Sequence, residues 1–147
     1  MAGISLIEVL VAVGIATLMT VIAIPVSTSA LRSYHLSSAV QRVSGAIQGA
    51  RYQAIKSGYH YRMALNSANA TYQLSSMVPP ATTFSNVGGP VYWSTSGDIT
   101  LSPSTTLEFY PGGKVTATTG SLTFALSNGT TTKTVTISTV GNVSVTP

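Results

Sequence analysis

Twenty-three consecutive residues, Val9 to Leu31, carry no charged side chain, and one acid, Glu8, stands directly in front of them. About 20 apolar residues suffice for a helix to cross the hydrocarbon of a bilayer. In lipid every backbone polar group must be satisfied within the segment, so a helix is the form such a run takes. An acid inside that medium is costly. Translocon scales put it at about 2.5–3.5 kcal/mol at a helix centre and less near an end. A carboxylate kept at the mouth of the run therefore calls for a partner.

The rest of the chain is polar but hardly charged. With 147 residues one domain is expected, and the part beyond the apolar run is long enough for one modest core. Charged residues make up 7% of the chain, and Ser, Thr, Asn and Gly dominate its second half, a composition common in extracytoplasmic β-rich modules. The net charge is +4. Past the run, seven bases (Arg32, Arg42, Arg51, Lys56, Arg62, Lys114, Lys133) face two acids (Asp98, Glu108), and five of the seven fall between Arg32 and Arg62. Such a cluster is a solvated helix face, or it attracts anionic headgroups or nucleic acid. The absence of cysteine excludes a disulfide framework and thiolate metal sites. The apolar run exceeds a secretory h-region and has no basic residues before it, which predicts a retained helix rather than a cleaved signal.

The periodicity predicts one helix from Ile4 to Ser57, about 80 Å long at 1.5 Å per residue. Gly14 and Pro25 are tolerated in its lipid half, residues 4–31. After Arg32, residues Leu36, Val40, Val43, Ile47, Ala50 and Ala54 form an apolar stripe at alternating spacings of four and three, with Gln, Ser and Arg on the other faces. Lys56 in the last turn and Gly58 as a left-handed cap end the helix. Beyond Gly58 strands follow. Tyr59, Tyr61, Met63 and Leu65 alternate with polar neighbours, Asn66–Asn69 is a turn, and 71–75 returns. Residues 78–90 read as a loop. Val91–Trp93, Ile99–Leu101, 107–110, 122–126, 134–137 and 143–145 are strand candidates, and Asn128-Gly129 is the strongest hairpin signal.

No catalytic set emerges. His35 and His60 belong to no metal-spacing motif. Asp98 and Glu108 read as a turn acid and a strand acid, and there is no phosphate-binding glycine loop. The reading is therefore a non-enzyme with no cofactor and no metal. Tyr52, Tyr59 and Tyr61 lie near Arg51, Lys56 and Arg62. Aromatic and basic interleaving of this kind can contact nucleic acid, which makes Arg42, Arg51, Lys56 and Arg62 candidate contacts. It also marks an ordinary helix–sheet junction. Tyr92 and Trp93, if exposed, would suit a membrane-anchored carbohydrate-binding module.

The segment Gly3-Ile4-Ser5-Leu6-Ile7-Glu8 and the apolar run behind it resemble the processing site of type IV pilins and type II secretion pseudopilins. Residues 50–58 (ARYQAIKSG), 107–113 (LEFYPGG) and 135–143 (VTISTVGNV) are similar to stretches of the GspH/FimT subfamily, in the same order. The resemblance implies cleavage by a prepilin peptidase between Gly3 and Ile4 and N-methylation of Ile4. Glu8 becomes the fifth mature residue and Pro25 the twenty-second. It implies an α+β pilin-like fold with a leader at 1–3, a transmembrane assembly helix at 4–31, an amphipathic continuation at 32–58 and an antiparallel β domain at 59–147. The implied role is a minor pilin or pseudopilin of a type II secretion pseudopilus or type IV pilus. Its implied partners are other pilins, the peptidase, an inner-membrane assembly platform and the bilayer, with the C-terminal domain in the periplasm or in a filament.

Within that frame the charge at Glu8 has a purpose. The amine freed on Ile4 of an incoming subunit can meet Glu8 of its neighbour, and two ions costly alone in lipid neutralise each other. Pro25 removes one backbone donor and either loosens the helix for filament packing or simply kinks it. A DNA-binding minor pilin of natural transformation is the alternative. It is favoured by the bases from Arg32 to Arg62 and opposed by Gly141–Ser144, which lacks the basic motif that DNA-binding FimT-like pilins carry after the last turn.

Overall fold

A computed structural model describes residues 5–147, apart from the side chains of residues 21–26. One helix, α1 (Leu6–Ser57), leads into ten strands. The helix ends as its sequence requires. Gly58 adopts φ 75° and its N–H donates to Ala54 O at 3.1 Å, a left-handed cap that glycine takes without a Cβ penalty.

The strands are β1 (His60–Asn66), β2 (Thr71–Met77), β3 (Ser85–Asn86), β4 (Val91–Tyr92), β5 (Thr100–Ser102), β6 (Thr105–Phe109), β7 (Val115–Thr119), β8 (Thr123–Ser127), β9 (Thr132–Ile137) and β10 (Val143–Thr146). They form two antiparallel sheets. The first has the order β3-β2-β1-β6-β7, with β4 also paired to β2, and the second has the order β10-β9-β8-β5. The chain passes from the second sheet to the first between β5 and β6 and returns between β7 and β8. Buried Thr105 joins the two crossings. Its hydroxyl lies 2.9 Å from Thr119 O and 2.8 Å from Ser121 O and shares one proton between them. Gly120 sits at φ +75°, where a Cβ would come 2.6 Å from Ser104 O, so only glycine lets the crossings lie this close.

The expected hairpins form. In the β1–β2 pair Asn66 stands opposite Thr71, and the Asn66 side-chain oxygen accepts from the N–H of Ala68 and Asn69. In the β8–β9 pair Ser127 stands opposite Thr132, and Asn128 caps the N–H groups of Thr130 and Thr131. Two strands stand where none was expected: β7, and the two-residue β3 inside the stretch read as a loop.

All six residues of the predicted helix stripe are buried, Leu36 through Ala54. They meet the inward side chains of both sheets: Tyr61, Met63 and Leu65 from β1, Leu107 and Phe109 from β6, Phe124 and Leu126 from β8, and Val135 and Ile137 from β9. Lys133 adds a polar tie, donating to Ser37 Oγ at 3.2 Å from β9 to the helix.

Candidate functional site

The first half of α1 has no role in this core. Leu6, Ile7, Leu10, Leu18 and Met19 are each more than 60% exposed, and Val9, Val11, Val13 and Ile15 are exposed as well. Positions 9, 10, 11 and 19 point in all directions around a helix, so the segment is apolar on every face, unlike the one-sided stripe of a surface helix. Its polar side chains turn inward on the helix. Thr17 Oγ1 donates to Val13 O at 2.7 Å, and Thr20 Oγ1 donates to Ala16 O at 2.8 Å. Hydroxyls satisfied four residues back need nothing from solvent. Glu8 sits in the first turn and is exposed. Among the described residues no helix is long and apolar enough to cross a membrane. The described side chains ahead of 21–26 cover only residues 5–20.

At the far end of α1 an arginine holds the two sheets together. The Arg51 side chain runs between the β6–β7 turn and the β9–β10 turn. Its Nε donates to Gly113 O at 3.1 Å. Gly113 has φ +81° and a Cβ there would lie 3.3 Å from Arg51 Nη2; Gly141 has φ +83° and a Cβ there would overlap Arg51 Nε and Cδ. Val115 N–H donates to Thr139 O at 2.9 Å, bonding one turn to the other beside the guanidinium. Three segments far apart in sequence, 50–58, 107–113 and 135–143, thus meet at one point.

The outer face of the first sheet carries a second charged cluster. Arg62 and Glu108 stand directly opposite across β1 and β6. Arg62 Nη2 donates to Glu108 Oε2 at 3.1 Å, and His60 Nδ1 lies 3.0 Å from Glu108 Oε1. Arg62 also stacks on the Phe84 ring at 3.9 Å. Burial pushes the Glu108 carboxyl up, but the hydrogen bonds from His60 and Arg62, with their charges, outweigh it and leave the group below its ordinary value. The unfolded chain therefore binds the proton first as pH falls. The stabilisation is complete above the ordinary glutamate range and is lost as pH drops through the lowered native value, from about pH 5 downward. Denaturant midpoints measured across that range should decline in the wild type, and Glu108→Gln should flatten the decline. The chain has only three acidic side chains, so an unaltered decline in the variant would place its origin outside this cluster.

The four basic residues read as candidate nucleic-acid contacts do not act together. Arg51 and Arg62 are engaged inside the domain, while Arg42 and Lys56 are exposed. Trp93, whose exposure carbohydrate binding would require, is buried at 1% exposure; Tyr92 beside it is exposed. This removes half of the aromatic platform on which carbohydrate binding rested. Gly3 and Ile4 lie outside the described residues, as does the side chain of Pro25. Among the described residues no group of three or more His, Asp or Glu is placed to hold a metal ion. Sequence reasoning missed the Arg51 junction, although the signal was present in the glycines of the two turns.

Residues 39–141 match the family described as Type II transport protein GspH. Comparison with curated protein sequences gives no match. Among solved structures, the chain is similar to the type IV minor pilin FimU of Pseudomonas aeruginosa in two crystal forms. In one the TM-score is 0.59 at 17% identity, covering 78% of this chain and 90% of the other. In the second it is 0.54 at 14% identity, covering 76% and 92%. At these identities the likeness concerns the fold.

Proposed function

The chain belongs to the GspH family of pilin-like proteins, and from that premise we propose that it is a minor pilin or pseudopilin subunit, anchored in the inner membrane by residues 4–31 and built into a type II secretion pseudopilus or type IV pilus. The observation that carries this reading is the first half of α1, apolar on every face and exposed in the isolated chain. A helix of that kind needs lipid or other helices around it. One face of the second half of the same helix is already buried under the sheets, so the two halves divide the work between assembly and folding. The role is non-catalytic. The covalent chemistry belongs to a prepilin peptidase acting between Gly3 and Ile4, which leaves a cationic amine on Ile4 to meet Glu8 of an adjoining subunit.

Intact mass of the full chain, recovered from membranes of cells that also express a prepilin peptidase, tests the reading. The expected species begins at Ile4 and carries one added methyl group. A chain that retains Met1-Ala2-Gly3 while entering filaments normally would overturn it.

A further inference from the structure

Tyr92 stands as a wall between two clefts at the edge of the first sheet. The larger, of about 570 Å³, runs from the β1–β2 turn to the loop ahead of β5, and the smaller, of about 430 Å³, lies over β1 and β2. Asn69 and Tyr92 line both. Volumes of about 300–1,000 Å³ are those of small-molecule sites. The tyrosine is 60% exposed, yet its backbone is fixed. Tyr92 pairs with Thr71 across β4 and β2, and the N–H of Trp93 donates to Ala70 O at 3.0 Å. Neighbours on an extended chain point to opposite sides, so the buried Trp93 indole is what turns the Tyr92 ring outward. Ala70, which lines the larger cleft, has φ 51°, a left-handed conformation that glycine or asparagine usually fills. Strain kept by a non-glycine residue in a cleft wall is a feature of ligand sites.

The lining selects the ligand. No charged side chain lines either cleft. Arg62 and Glu108, further along the same sheet face, are paired with each other. Asp98, exposed between the lining residues Gly97 and Ile99, is an acid at the rim that disfavours anions. The Asn69 amide and the Thr95 hydroxyl make no hydrogen bond among the described residues. Gln73 Nε2 donates to Leu74 O and Gly88 O, which leaves its Oε1 open as an acceptor. Amides and hydroxyls offer donors and acceptors together, so the matching ligand also carries both. Beside them the phenol ring offers a flat apolar face. A pyranose has this combination: hydroxyls at its rim and a face of C–H groups that stacks on an aromatic ring.

We propose that the two clefts form a binding site for an uncharged oligosaccharide, with Tyr92 as the stacking platform and Asn69, Gln73 and Thr95 as hydrogen-bonding groups. The site is independent of processing at Gly3 and of entry into a filament.

Calorimetric titration of the full-length protein tests it, in amine-oxide micelles, which contain no sugar. The probes are chitotriose, maltotriose and the acidic trigalacturonate. Saturable binding of either neutral trisaccharide is the expected result. Binding of chitotriose alone assigns the site to N-acetylated amino sugars, and binding of maltotriose alone assigns it to plain glucans. Tyr92→Ala should weaken binding about tenfold or more, while Tyr92→Phe, which keeps the ring, should retain most of it. Circular dichroism melts of both variants verify that the domain stays folded. No saturable binding of either neutral probe, equal binding of trigalacturonate, or unchanged affinity in folded Tyr92→Ala would each overturn the site.

Discussion

Replacing Gly141 by alanine is expected to lower the melting temperature of the domain by about 10–15 °C. Two costs combine. At φ +83° an alanine sits in the left-handed region, at about 1–2 kcal/mol. Its methyl also overlaps Arg51 Nε and Cδ, and the guanidinium cannot simply swing away because Nε is bonded to Gly113 O. Displacing it forfeits a charged hydrogen bond worth about 1.5–3 kcal/mol. Circular dichroism melts of the β domain in the full chain would measure the drop. The double variant separates the two costs. With Arg51→Ala already in place, Gly141→Ala should cost only the backbone part, about two fifths of its effect alone. An equal drop in both backgrounds would show that the arginine is not what the methyl strikes.

Glu8→Ala should leave membrane insertion intact and remove the subunit from filaments. The carboxylate lies in the first turn of α1, where the helix dipole favours it by about 0.3–1 kcal/mol. That is too little to offset what an acid costs when apolar helices close around it. In the assembly proposed above, a cationic amine on an adjacent subunit supplies the remainder. Losing one member of such an enclosed pair costs about 3–5 kcal/mol, or two to four orders of magnitude in association. Sheared filaments, probed for the variant beside its partner pilins, give the readout. Glu8→Gln keeps the size and removes the charge, so it should fail as completely as alanine. Normal incorporation of either variant would refute the pairing.

The parts of the fold that local chemistry determines could be read from the sequence. The spacing of Leu36, Val40, Val43, Ile47, Ala50 and Ala54 left one buried face, and that face is the core. Gly58 marked the helix end, and the asparagine turns at Asn66 and Asn128 marked two hairpins. The family resemblance read from residues 50–58, 107–113 and 135–143 agrees with the match over 39–141, while the segment 3–8 lies outside it. What escaped depends on contacts across long separations. The pairing of β5 with β8 and of β1 with β6 splits the strands into two sheets, and no local pattern encodes which strand finds which. Strand β7, Val-Thr-Ala-Thr-Thr, presents only Val115 and Ala117 as apolar side chains, too weak an alternation to notice. Trp93 follows exposed Tyr92, and only tertiary packing draws the indole inward. Arg51, Gly113 and Gly141 were each visible; their meeting was not.

The grip of Arg51 on Gly141 also bears on timing during synthesis. The arginine leaves the ribosome ninety residues before the glycine that completes its seat. Until then the nascent chain holds the whole helix and most of both sheets, yet the turns at the helix end stay undocked. Contacts this distant along the chain slow folding, so the helix end is seated between the two sheets only after the final hairpin has emerged.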